Sequence, residues 1–150
     1  MSGPVSFAYT LVRHVHLAVH SPAVPRDDEW QAYLTDIERR LGTIEALLAF
    51  APGGNLSAAQ RKQSTQFWHR QSKKVPIAII TPDIMVVRLV GALRWFMPSQ
   101  IKVFLPRNLE AALDYLQINS EHRPAVLRSA RELARQQGLP DPTTVSSCAR

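Results

Sequence analysis

From His14 to His20 the chain alternates, with Val15, Leu17 and Val19 pointing one way and His14, His16, Ala18 and His20 the other. That period of two predicts a strand within the β-rich stretch Phe7 to His20. With no Gly, Asn or Asp turn inside it, one long bent strand and a hairpin turning near Arg13 and His14 both stay open. After the linker Ser21 to Arg26, Asp27 is placed to cap a helix whose Trp30, Tyr33, Leu34, Ile37 and Leu41 recur at helical spacing, with Gly42 as its stop. Three apolar runs of strand length follow, Thr43 to Ala51, Val75 to Ile80 and Ile101 to Leu105. Each leads into a helix start. Ser57 and Gln60 have capping-box spacing, Thr81 and Pro82 precede a helix from Asp83 to Phe96, and Asn108 is placed to cap a helix carrying Leu109, Ala112, Leu113 and Leu116. A last helix is expected over Ser120 to Gln137, with Gly138 ending it and a tail from Leu139 to Arg150 expected to be mobile.

Continuous apolar strands separated by helices predict an α/β domain with a mostly parallel sheet of four to five strands, covered by helices. At 150 residues there is room for one such core. A hydrophobic fraction of 45% separates the chain from disordered sequences. Cys148 is the only cysteine, so no intrachain disulfide can form. The start, Met1 to Tyr9, lacks the pattern of a secretory signal, and the most apolar helical stretch, Ile84 to Met97, is interrupted by Arg88 and Arg94 and falls short of a membrane span. A cytoplasmic location is the expectation.

The net charge of +6 is uneven. Residues 1–56 hold four arginines against six acids, residues 57–107 nine basic groups against Asp83 alone, and residues 108–150 five against five. The middle third should therefore attract an acidic protein face, a polyanion or an anionic ligand, unless it is simply a solvated basic surface.

The element order and two local phrases, Pro52-Gly53-Gly54-Asn55 running into Ser57-Ala58-Ala59-Gln60-Arg61 and Asn108-Leu109-Glu110-Ala111-Ala112 leading to Tyr115-Leu116, resemble the STAS domain of bacterial anti-sigma-factor antagonists and related regulators. The resemblance spans about Phe7 to Ile118, giving a STAS-like domain over residues 1–119, an extra helix over 120–138 and a tail over 139–150. It implies a non-enzymatic regulatory or scaffolding role in which a serine before the second helix is phosphorylated by a partner kinase and the surrounding surface docks that kinase or another regulator. By position Ser57 matches, although the residues before it are Gly54, Asn55 and Leu56 rather than the Asp and paired hydroxyls usual in that family.

The expected partner surface comprises Gly53, Gly54, Asn55, Ser57, Arg61, Arg88 and Trp95. Glycines at a helix start let a backbone approach an anion, and phosphorylation of Ser57 would add about 1.5 to 2 negative charges beside Arg61 and Lys62. The alternative is a plain helix cap. Arg88 and Trp95, seven residues apart, share one side of their helix, while Ile84, Val87, Val90 and Leu93 are expected in the core.

A second function class, nucleic-acid binding, rests on the basic patch of Lys62, Arg70, Lys73 and Lys74 with His69 nearby. Phe67 and Trp68, about 100° apart on a helix, are expected to split between core and solvent border. No nucleic-acid motif accompanies the charge. His14, His16 and His20 at strand spacing would suit a metal, but no carboxylate is assigned to their face, and a half-exposed sheet surface is the preferred reading. Neither metal nor cofactor is expected. Nor is catalysis: His69 lies about 18 Å along the helix from Ser57, beyond reach as its base. A homodimer is compatible with the sequence, and the partner's identity is not encoded in it.

Overall fold

The computed structural model describes residues 7–51, 56–84, 87–88 and 100–144. Its centre is a five-stranded sheet in the order β1 to β5: Phe7–Val12, Val15–His20, Ala46–Phe50, Ile77–Ile80 and Ile101–Phe104. β1 and β2 are antiparallel, and β2 to β5 run parallel, with Val15 opposite Ala46, Leu47 opposite Ile77 and Ile77 opposite Ile101. Helices with bounds among the described residues flank it: α1 Asp27–Arg40, α2 Ala58–Arg70, α3 Leu109–Tyr115 and α4 Arg123–Gln136.

The opening segment is a hairpin. Arg13 and His14 both take left-handed backbone angles, φ 49° and 71°, which is how a two-residue turn matches the twist of its strands. His14 therefore leaves the strand, and its Nδ1 donates to the Thr43 carbonyl at 3.2 Å, tying the turn to the start of β3.

Alternation along the strands divides the core in two. Val15, Leu17 and Val19 join Leu48, Phe50 and Ile80 beneath α3 and α4. On the other face Ala18, Leu47 and Ile77 meet Trp30, Tyr33, Leu34 and Ile37 of α1 and Phe67 and Trp68 of α2. Burial on both faces explains why the parallel strands read as unbroken apolar runs.

Helix ends shift from their expected places. Arg26, not Asp27, is the N-cap of α1, and the Arg26 N–H donates to the Glu29 carboxylate at 3.4 Å. Asn108 precedes α3 without a side-chain cap, because the 3-10 turn Pro106–Asn108 already leads into the helix. α4 begins at Arg123 rather than Ser120, held by Arg123 bonds to the Ile118 carbonyl (3.0 Å), Glu110 (3.0 Å) and Asp114 (2.8 Å). This helix is no appendage to residues 1–119: Val126, Ala130, Leu133 and Ala134 complete the core over β1 and β2. Gly138 ends it at φ 70°, with the Leu139 N–H reaching the Ala134 carbonyl at 2.9 Å. Ile84 departs from the expected helix face. It is exposed, standing four residues beyond the end of β4. Val87 is half-buried, and Val90 and Leu93 lie outside the described residues. No helix among the described residues is long and apolar enough to cross a membrane.

Candidate functional site

Parallel strands align their carboxyl ends, and in open α/β sheets that end is where ligands and partners are usually received. β3 and β4 are neighbours here, so the chain leaving β3 toward Ser57 and the chain leaving β4 toward Arg88 emerge side by side. Gly53, Gly54, Asn55 and Trp95, expected at this surface, lie outside the described residues. Ser57, Arg61, Lys62 and Arg88 are described, and the three cations are exposed.

Ser57 is the N-cap of α2 in a complete capping box. Its Oγ accepts from the Gln60 N–H at 3.1 Å, and its own N–H donates to Gln60 Oε1 at 3.1 Å. Gln60 is 1% exposed and also donates through Nε2 to the Pro25 carbonyl (2.7 Å) and to Asp27 (3.1 Å). The helix start is thereby fixed to the start of α1. Arg61 folds back to the Leu56 carbonyl at 2.8 Å, leaving the rest of its guanidinium at the surface. Just after β4, Thr81 is buried, and its hydroxyl accepts from the Asp83 N–H at 3.2 Å.

The basic patch is partly structural. Lys73 donates to the Leu41 carbonyl at 2.8 Å, closing the end of α1, and Lys74 donates to the Trp68 carbonyl near the end of α2. His69 and Arg70 are exposed. Phe67 and Trp68 are both buried rather than divided between core and surface; their rings meet edge-on at 5.1 Å. Both rings belong to the cluster that also holds Val75, from the connection to β4, and Trp30 and Tyr33 of α1.

The histidines are not a half-exposed surface. His16 is fully buried and His20 nearly so, both under α1, while His14 is in the exposed turn. A carboxylate does share their face. Asp36 Oδ2 accepts from His16 Nε2 at 2.9 Å, and Asp36 Oδ1 accepts from Arg39 and Arg40, each at 3.0 Å. Tyr9 stacks on His16 at 5.6 Å, and Phe7 stacks on His20 at 4.9 Å. Burial holds His16 below the usual histidine range and lowers His20 to about 4. Burial alone would raise Asp36, but bonds from His16, Arg39 and Arg40 prevail and lower it. The sequence carried a signal for this cluster: Asp36 adjoins the buried stripe at Ile37 and has arginines three and four residues on. Among the described residues no set of three or more His, Cys, Asp or Glu is arranged to hold a metal.

A hollow of about 210 Å³ lies at the opposite, amino end of the parallel strands, between Arg13, His14, Glu45, Gln117 and His122. None of the residues nominated for partner binding lines it. Comparisons of the chain with protein-family models, curated proteins and solved structures gave no match.

Proposed function

We propose that the chain is a STAS-like, non-enzymatic regulatory module that docks a protein partner at the carboxyl end of β3 and β4. One observation carries the reading: β3 and β4 pair in parallel, so the segments that continue to Ser57 and to Arg88 leave the same end of the sheet, and Arg61, Lys62 and Arg88 are all exposed on the most basic third of the chain. The acidic face of a kinase or another regulator is the complementary surface. The Gly53-Gly54-Asn55 loop and Trp95 belong to the same proposed interface.

Ser57 suits a switch because its Oγ is already committed to the Gln60 N–H. A phosphoryl group there replaces a neutral cap with a dianion at a helix N-terminus and draws Arg61 away from the docking face. The nucleic-acid reading is less well supported, since Lys73 and Lys74 spend hydrogen bonds on helix-end carbonyls.

The test is affinity capture from extract with the full chain, followed by quantitative binding of the captured partner to variants. Arg61→Glu and Arg88→Glu should each weaken binding about tenfold or more, and Ser57→Asp should change it while Ser57→Thr does not. Undiminished binding by both charge reversals overturns the site.

A further inference from the structure

Among the described residues, β1 is an outer strand of the sheet. A two-residue turn is flanked by a hydrogen-bonded pair, here Val12 and Val15, so Thr10·Leu17 and Ala8·Val19 are the next bonded pairs along the hairpin. The N–H and C=O groups of Tyr9 and Leu11 consequently point away from β2. Among the described residues β1 pairs with β2 alone. Phe7 is 2% exposed, which closes the edge at that end, while Ala8 to Val12 are half-buried and accessible.

Natural sheets blunt such edges with charges, prolines or bulges. The opposite edge conforms, because β5 carries an exposed Lys102, its ammonium 4.6 Å from the Tyr115 ring centre. β1 has none of these guards: Phe7–Val12 contains no charge and no proline, and its six pairs with β2 run without a bulge.

We infer that β1 is a homodimer edge, on which a second copy of this chain adds its own β1 antiparallel about a two-fold axis through Thr10. The accessible stretch is symmetric about that residue. With Thr10 opposite Thr10 of the other copy, Tyr9 of each exchanges both backbone hydrogen bonds with Leu11 of the other, and Ala8 stands opposite Val12. Tyr9 and Leu11 then pack together on the α1 face, and the threonines meet on the α4 face, a favourable cross-strand pair. No charged side chain of either strand is brought opposite another. The two sheets become one, and the edge is remote in the strand order from the proposed docking site on β3 and β4, so the two ideas stand or fall separately.

Sedimentation equilibrium of the full chain over low to high micromolar concentration should show a reversible dimer. Thr10→Lys places like charges directly opposite and should raise the dimer dissociation constant about fivefold or more with an unchanged circular dichroism spectrum. In a Cys148→Ser background, Thr10→Cys should form a disulfide-linked dimer under mild oxidation, because non-bonded partners across an antiparallel pair have Cα atoms about 4.5 Å apart, within disulfide reach. A chain that stays monomeric throughout, or a dimer that Thr10→Cys fails to cross-link, overturns the inference. So does a folded Thr10→Lys that dimerises as tightly as the parent; if that variant loses its fold, the cross-link decides.

Discussion

His16 Nε2 donates to Asp36 Oδ2 at 2.9 Å, joining the second strand to the first helix through a buried polar pair. The other carboxylate oxygen is held by Arg39 and Arg40, while His16 Nδ1 is buried with no hydrogen-bond partner among the described residues. Removing only the carboxylate strands the remaining donor of a fully buried ring. Asp36→Ala should therefore destabilise the fold by about 2–4 kcal/mol in urea denaturation. Replacing both partners, as in His16→Phe with Asp36→Leu, removes the stranded donor and should cost less than Asp36→Ala alone. A double variant that loses as much as the sum of the singles would mean the pair contributes nothing as a unit.

The buried histidines set the acid side of the stability profile. Both are held below their ordinary range in the fold, so the unfolded chain takes up their protons first. Their contribution is complete above about pH 6.5 and is lost as the pH falls toward about 4, where His20 itself titrates in the fold. For His20 the span corresponds to about 3 kcal/mol. His20→Phe, which keeps a ring against Phe7, should flatten the fall in unfolding free energy over that window, as followed by denaturant titrations at stepped pH.

The hairpin turn is made from residues poorly suited to it. Neither Arg13 (φ 49°) nor His14 (φ 71°) is a glycine, yet both occupy the left-handed region. His14 offsets part of that cost by its bond to Thr43, whereas the Arg13 side chain forms no hydrogen bond or ion pair among the described residues. Arg13→Asn should accordingly raise stability by about 0.5–1 kcal/mol, measured as a shift in the urea midpoint at constant slope.

This turn also marks where the sequence stops being informative. The buried runs at Ala46–Phe50, Ile77–Ile80 and Ile101–Phe104 and the helical stripe from Trp30 to Ile37 are legible because periodicity records which positions are apolar. Periodicity does not record what covers a face. His16 and His20 have the spacing of one sheet face, but only the docking of α1 makes that face interior and supplies Asp36 from twenty residues away. Phe67 and Trp68 do not divide between core and border for a similar reason: a helix wheel omits the neighbouring elements, and both rings join one cluster with α1 residues and Val75 of the following connection. The Ser57 cap was legible because its partner Gln60 lies within one turn, while the anchoring of Gln60 to Pro25 and Asp27 crosses more than thirty residues.

That anchoring separates the two halves of the capping box energetically. Ser57→Ala removes one cap bond at a half-buried helix start and should cost about 1 kcal/mol. Gln60→Ala removes the reciprocal bond to the Ser57 N–H and both ties to the α1 start, and it leaves a buried Pro25 carbonyl without its donor. Its expected cost is about 2–3 kcal/mol, because an orphaned buried acceptor adds its desolvation penalty to the lost bonds. Thermal and urea melts of the two variants compare the values directly. If Gln60→Ala costs no more than Ser57→Ala, the side chain acts as a local cap alone, and the rigidity assigned to the α2 start must come from elsewhere in the fold.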